Sequence, residues 1–172
     1  MSTILVAGIL VGSLAAICLL LVIIHNKHKR EAMDSILKHF SQLGTENGMS
    51  FSGQELLHHC ILGLDGVSRK ILVVTKEDKH YSSFIINLDE VKTCMVKKIY
   101  GTIDAGELKT HKLEQYLERI VLHFKFQTRP PAEVVFYQNF HNHIYELPEL
   151  EQKAKHWEAI LSKMQRPAKN IA

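Results

Sequence analysis

Histidines are the residues of this sequence with the clearest capacity for chemistry. There are 11 of them, and two pairs, His58-His59 and His141-x-His143, have a spacing at which imidazoles can chelate a metal ion. A metal site needs three or four ligands with supporting hydrogen bonds. No Cys-x-x-Cys, His-Glu-x-x-His or acidic cluster accompanies either pair. The stretch from Asn139 to His143 is typical of a turn with exposed polar residues, so we expect no metal site.

Nucleophilic catalysis has an equally weak basis in the sequence. Cys94 with a nearby histidine would form a dyad, but a single cysteine in a strand is usually a small core hydrophobe. Gly44, Gly48 and Gly53 are scattered and do not form a phosphate-binding loop. Cys60 and Cys94 stand singly in strand-like runs, as buried reduced thiols do, which does not indicate a disulfide framework. We expect no catalytic residue and no cofactor, and therefore no enzymatic activity.

Lysine and arginine suggest a third chemistry, the recognition of anionic groups. The chain has 21 Lys and Arg against 18 Asp and Glu, and Lys27, Lys29 and Arg30 account for the whole net charge of +3. The near-neutral remainder argues against nucleic-acid binding, for which a basic face is the usual footprint. A basic rim on two strands would face anionic lipid headgroups, or it is an ordinary solvated face balanced by Asp and Glu. Its residues are Arg69, Lys70, Lys92, Lys97 and Lys98.

An apolar run near the start predicts how the chain is placed in the cell. The stretch from Ile4 to Ile24 has no charge, and as a helix it would span roughly the 30 Å hydrocarbon core of a bilayer. Lys27, Lys29 and Arg30 follow it, which places that side in the cytoplasm. We predict a single-pass transmembrane helix in the inner (cytoplasmic) membrane, with the N-terminus outside and the C-terminal domain in the cytoplasm. The alternatives are a cleaved signal peptide and a buried core helix.

Small residues within this run predict a contact between two copies of the chain. Gly8, Gly12 and Ala16 recur every four residues and share one face of a helix, where small side chains let two membrane helices approach closely. A homodimer through the transmembrane helix is therefore a hypothesis. The alternative is that these are ordinary lipid-facing residues.

Hydrophobic periodicity predicts the elements of the folded part. An amphipathic helix from Arg30 to Leu43 would end at Gly44, and Ser52-x-x-Glu55 resembles a capping box that starts a short helical turn. From Cys60 the apolar residues repeat with a period of two. Strand-like segments joined by short turns, with no helix between them, favour an antiparallel meander. They run from Cys60 to Asp65, Lys70 to Thr75, Ser82 to Leu88, Val91 to Ile103, Leu117 to Gln127 and Glu133 to Gln138.

A helix is predicted to follow the last strand. It begins beside Pro148, where a missing N–H group is harmless, and ends at Pro167. Its apolar residues fall at steps of four and three along one side, so we expect them to be buried against the sheet. They are Leu150, Ala154, Trp157, Leu161 and Met164.

This order of elements resembles uncharacterised bacterial membrane-anchored proteins with a pleckstrin-homology-like domain. The resemblance covers about residues 61–164 and is carried by Ile61-Leu-Gly-Leu-Asp65, Arg69-Lys-Ile-Leu72, Ile85-Ile-Asn-Leu-Asp89, Val91-Lys-Thr-Cys94 and Ala154-x-x-Trp157. It implies an α+β, mainly β fold, in which a single transmembrane helix precedes an antiparallel barrel or sandwich of about six or seven strands capped by a C-terminal helix. These are core patterns, and they imply a fold without an activity.

The predicted organisation has four parts. Residues 1–30 are the anchor with its basic flank, 31–53 the juxtamembrane helix and linker, 54–166 the pleckstrin-homology-like cytoplasmic domain, and 167–172 a tail. We predict a membrane-tethered module that binds an unidentified protein partner or acts as a scaffold. The alternative is a module that senses anionic lipids at the inner membrane surface, and a second alternative is an enzyme without a recognisable motif.

Overall fold

The computed structural model describes residue 27 and residues 33–77, 80–102 and 113–164. In these ranges lie a first helix, α1, described over 33–46, and a C-terminal helix, α2, over Leu147–Met164. The chain divides after Leu43 into two units, and all the strands belong to the second. The strands are β1 (Gly53–Leu56), β2 (Cys60–Asp65), β3 (Lys70–Glu77), β4 (His80–Asn87), β5 (Val91–Tyr100), β6 (Leu117–Phe126) and β7 (Ala132–Gln138).

The helices of the described residues correct the membrane prediction. None of them is long and apolar enough to cross a membrane, and α2, with 18 residues, carries charged side chains such as Glu149, Lys155 and Lys163. We therefore withdraw the single-pass transmembrane helix, its orientation in the inner membrane, the membrane as a partner, and the homodimer through that helix. These predictions were placed on residues 4–24, which include Gly8, Gly12 and Ala16, and on the basic residues that follow them. Residues 4–24, Lys29 and Arg30 lie outside the described ranges, whereas Lys27 is described and exposed.

The end of α1 differs from the prediction because Gly44 has another role. The helix continues past it to residue 46, and a Schellman motif then closes it, with N–H donation from Gly48 to the Thr45 carbonyl (3.0 Å) and from Met49 to the Gly44 carbonyl (2.8 Å). Gly48 has φ +61°, the left-handed conformation that this motif requires. A Cβ on Gly44 would lie 2.6 Å from the Phe51 ring, so Gly44 is needed for this close packing.

Glu55 lies in β1 and Ser52 directly precedes that strand, so the predicted helical turn is wrong. β1 pairs antiparallel with β2, with Gly53 opposite Leu64. The Ser52 hydroxyl donates to the Leu64 carbonyl (3.1 Å) and accepts the Gly66 N–H (3.2 Å). It therefore ties the start of β1 to the β2–β3 hairpin, where pairing along β2 outweighs the local capping signal.

The described strands form two antiparallel sheets. The first has the order β1-β2-β3-β4 and the second β5-β6-β7. A short 3-10 helix, Leu88–Glu90, joins them, and the Asn87 side chain accepts the Asp89 N–H (3.1 Å) at its start. β2 is buried along its whole length, as expected for a strand with neighbours on both sides. The fold of this part of the chain thus consists of two antiparallel sheets and a C-terminal helix. The predicted fold class, which included a transmembrane helix, is therefore wrong.

A hydrophobic cluster of described residues joins both sheets and α2. The residues of the apolar stripe of α2 lie in this cluster, with Leu150, Ala154, Trp157 and Leu161 buried and Met164 partly buried against it. Polar contacts fix the helix to a strand of each sheet. Trp157 Nε1 donates to Glu55 Oε2 on β1 (3.3 Å), and Glu158 Oε1 accepts the Val96 N–H on β5 (2.9 Å).

Candidate functional site

A cavity of about 570 Å³ lies between the two sheets, lined by residues of β2 and the turn before it, of β3, β4 and β7, and of the turn after β7. Its floor is apolar and continuous with the core: Cys60, Val73, Phe84 and Val134. Its volume is within the range of ligand-binding pockets, about 300–1,000 Å³. Among its described lining residues none comes from α2, so the helix leaves this part of the space between the sheets open.

Polar side chains surround the mouth of the cavity, and two of them are imidazoles. The rings of His59 and His141 lie with their centroids 5.3 Å apart, tilted by 43°. Burial lowers the pKa of His59, the neighbouring His141 and His58 lower it further, and Glu77 acts in the opposite direction. His59 is therefore neutral near pH 7, with one ring nitrogen as donor and the other as acceptor.

The Nδ1 atom of His59 is buried, and no described residue offers it a hydrogen-bond partner. An unsatisfied buried polar group costs roughly 1–3 kcal/mol, so such atoms are usually found with a partner.

The turn that carries His141 is held rigidly by a buried asparagine. Asn142, 8% exposed, accepts the Gln138 N–H through Oδ1 (3.0 Å) and donates through Nδ2 to Glu146 Oε2 (3.1 Å). The same Glu146 oxygen accepts the His143 N–H (3.2 Å). These bonds, led by the one from Asn142, lower the pKa of Glu146 and keep it charged. The segment from Asn139 to Glu146, here called the β7–α2 loop, is therefore a fixed surface feature.

Three large apolar side chains of the β7–α2 loop face solvent. Phe140 is 83% exposed, Ile144 57% and Tyr145 74%. Tyr145 stacks on His143, with ring centroids 5.1 Å apart and an interplanar angle of 8°. Single exposed apolar residues are ordinary, but a cluster on one ordered loop beside a cavity is typical of an interaction surface.

The structure does not gather the predicted basic rim. Arg69 is bound to Asp89 (Nε–Oδ1 2.9 Å) and donates to the Met164 carbonyl, while Lys98 is paired with Glu151 (2.8 Å). Lys97 and Lys98 are neighbours in β5 and thus point to opposite faces of the sheet. The remaining two, Lys70 and Lys92, lie on β3 and β5, in different sheets. These five basic residues therefore do not form one cationic site, and lipid sensing stays a prediction.

The two described cysteines are unreactive thiols, and the described residues do not form a metal site. Cys60 and Cys94 are buried, and neither is in a disulfide. Burial raises the pKa of Cys60 to about 11 and that of Cys94 to about 12, the latter helped by Glu158, so both remain thiols at neutral pH. In the described ranges no three His, Cys, Asp or Glu side chains are grouped closely enough to hold a metal ion.

Comparison of the chain with protein-family models, curated proteins and solved structures finds no match. The resemblance to pleckstrin-homology-like proteins therefore stays a prediction.

Sequence reasoning treated His58-His59 and His141-x-His143 as separate pairs. The structure instead combines one member of each, His59 and His141, across the two sheets. The turn after β7 was expected to expose polar residues, yet Asn142 is buried and Phe140 exposed. Local pattern gave no signal for the pairing of His59 with His141 or for the burial of Asn142, because both depend on how distant parts of the chain pack. An apolar Phe140 inside a polar turn was the one visible anomaly.

Proposed function

We propose that the domain is a protein-interaction module, and that it binds a segment of a second protein at the cavity and the β7–α2 loop. One apolar side chain of the partner would enter the cavity, and its neighbours would cover Phe140, Ile144 and Tyr145. The observation that carries the proposal is the rigid display of these three exposed side chains beside a cavity that already has an apolar floor.

A protein segment explains the site better than a free small molecule does. A small molecule would account for the cavity, but it would leave the exposed side chains of the loop uncovered. Protein interfaces typically combine a buried central anchor with surrounding aromatic and aliphatic contacts. Because the loop is fixed before binding by Asn142 and Glu146, little conformational entropy is lost on association.

Strand edges next to the cavity also suit an extended segment. In the described part of the chain, β4 and β7 each have a neighbouring strand on one side only, and both contribute residues to the cavity wall. An edge strand can pair with an added strand through main-chain hydrogen bonds, while alternate side chains enter pockets. This arrangement supports an extended peptide as the form of the bound segment.

Site-specific photocrosslinking in cells that produce the protein naturally tests the proposal. A benzophenone amino acid replaces Phe140 in the full chain, and it replaces Val67, 94% exposed on the β2–β3 hairpin, in the control. We expect a defined adduct from position 140 and none from position 67, since both positions are exposed and apolar but only one lies in the proposed interface.

A pair of serines on β4 links the adduct to the cavity. Ser82 lines the cavity, whereas Ser83 is also exposed but points to the opposite face of the sheet. Ser82→Trp should abolish the adduct because it fills the mouth, and Ser83→Trp should leave it. An adduct that survives Ser82→Trp, or equal adducts from both labelled positions, would contradict the proposal. An adduct of twice the mass of the chain would identify a second copy as the occupant and replace the heterologous partner.

A further inference from the structure

Two histidine rings meet at the mouth of the cavity, and their role in controlling it rests on the function proposed for that site. His59 belongs to the turn between β1 and β2, here called the β1–β2 turn, and His141 belongs to the β7–α2 loop. Their ring centroids are 5.3 Å apart, and both residues line the cavity. The pair therefore joins a turn of the first sheet to the loop that displays the three exposed apolar side chains.

The surroundings of His59 Nδ1 suit a neutral ring and do not suit a protonated one. This atom is buried and has no hydrogen-bond partner among the described residues. In one neutral tautomer Nδ1 is a bare acceptor nitrogen, whereas in the protonated ring it must carry a proton. That proton would belong to a buried charged donor without an acceptor, which is costly.

The titratable groups around His59 and its neighbour His58 come from several elements, and β4 adds only uncharged side chains to the described cavity wall. They are His58 on the same turn, Cys60 on β2, Lys76 and Glu77 on β3, Glu133 on β7, and His141 and Glu146 on the β7–α2 loop. Burial opposes protonation of His59 most, and His141 and His58 oppose it further. Glu77 favours protonation but has a smaller effect than any of these, so the pKa of His59 is lowered.

Acid therefore favours an arrangement in which the two rings are apart. An unperturbed histidine gains its proton at about pH 6.5, and the lowered pKa of His59 means that the closed contact binds this proton less readily than an open one does. The closed contact is thus fully favoured above that pH and loses stability as the pH falls below it.

We infer that His59 and His141 form a pH-sensitive contact, which holds the β7–α2 loop against the β1–β2 turn at neutral pH and opens on acidification. Opening moves the loop relative to the cavity, and a partner segment that binds both is released. The chain itself then supplies the acid sensitivity of the complex, whatever groups the partner carries.

Nuclear magnetic resonance of the full chain, with histidine labelled in the ring nitrogens, tests the contact directly. At pH 7.4 we expect a neutral His59 and a nuclear Overhauser effect between the ring protons of His59 and His141. At pH 5.0 the Overhauser effect should be lost, and His59 should gain its proton over the same pH range, because the two events are coupled. An effect that persists at pH 5.0, that is absent at pH 7.4, or that is lost while His59 is still neutral would overturn the inference.

Two substitutions attribute the opening to this pair. His59→Phe keeps an aromatic ring at position 59 but binds no proton, so its Overhauser effect to His141 should persist at pH 5.0. His156→Gln, at an exposed position on α2, removes a histidine outside the pair and should lose the effect as the parent does. Loss of the effect at pH 5.0 in His59→Phe would assign the opening to other groups.

Photocrosslinking from benzophenone at position 140 relates the contact to the proposed function. In lysates of the producing cells, the adduct formed at pH 7.4 should decrease about tenfold or more at pH 5.0, and His59→Phe should retain it. A contact that opens while the adduct is unchanged, or an adduct that decreases equally in His59→Phe, overturns the regulation and leaves the proposed function standing. Absence of any adduct at pH 7.4 contradicts the proposed function, and the Overhauser measurement still decides whether the contact responds to acid.

Discussion

Asp65 is a buried carboxylate, 2% exposed, that organises the β2–β3 hairpin. Its oxygens accept the N–H groups of Ser50, Val67 and Ser68, each at 2.9 Å. These main-chain bonds, above all those from Ser68 and Ser50, lower the pKa of Asp65 to about 2 because they stabilise its charged form. The carboxylate thus links the segment after α1 to the hairpin.

The lowered pKa of Asp65 predicts how stability depends on pH. Because the folded-state pKa is below the unfolded one of about 3.9, the contribution of Asp65 is complete above pH 4 and is lost as the pH falls through 2. Urea unfolding midpoints measured between pH 5 and pH 2 should therefore decrease less steeply in Asp65→Asn, which starts from a lower midpoint at pH 5. Asp34→Asn on α1, where the side chain is exposed, is the control and should follow the parent. Parallel curves for Asp65→Asn and the parent would contradict this account.

The hairpin at Asp65 also shows what a sequence reveals about single residues. Asp65-Gly66 indicated a turn because these residue types suit one. The N–H donor from Ser50 was not predictable, since it lies on a segment brought close by the β1–β2 pairing. The contacts of His59 and Asn142 were not predictable for the same reason. Their partners lie on other elements or depend on the exact turn geometry, which residue type alone does not determine.

The sequence predicted the strands and the C-terminal helix better than it predicted the contacts between side chains. Alternating apolar residues place β2 to β7 close to their observed limits, and the stripe of α2 contains the residues that pack on the sheets. β1 was missed because Ser52-x-x-Glu55 fits a helix start locally, and only pairing with β2 makes it a strand. Gly44 was assigned as a helix end because the close packing of Phe51, and the better placed Gly48, are not visible in a local pattern.

At the level of elements, Trp157 anchors α2 and provides the next prediction. It is 3% exposed in the core cluster, and its Nε1 donates to Glu55 on β1. Trp157→Ala should lower the free energy of unfolding by roughly 3–5 kcal/mol, the usual cost of truncating a buried large aromatic residue. Trp157→Phe retains most of the ring packing and loses the hydrogen bond, so it should cost about 1 kcal/mol plus a small packing loss. Chemical denaturation followed by circular dichroism measures both.

The comparison of the two substitutions determines how α2 is held. A large loss with Ala and a small one with Phe indicates that packing dominates. Equal losses would mean that the bond to Glu55 carries the attachment of the helix to β1. If neither variant shifts the unfolding midpoint, α2 does not contribute its stripe to the core of the full chain, which is contrary to the buried positions of Leu150 and Leu161.

For the molecule as a whole, the arrangement of the core predicts that both sheets unfold together. The hydrophobic cluster includes Ile71 and Val73 of β3, Leu122 and Phe124 of β6, and the stripe of α2. Neither sheet therefore buries its inner face alone, and a residue in one sheet supports strands of the other. Cooperative units seen by hydrogen exchange often coincide with such shared packing.

Leu122→Ala tests this cooperativity from the second sheet. Leu122 is fully buried, so the substitution should cost roughly 2–5 kcal/mol. Native-state hydrogen exchange on the full chain should show the same loss of protection for amides of β3 in the first sheet and β6 in the second, because both exchange through a shared opening. Val67→Ala, at an exposed position, is the control and should change protection by less than about 0.5 kcal/mol. If β6 loses protection while β3 retains that of the parent, the sheets open separately, and the floor of the cavity that they share would be a contact between independent units.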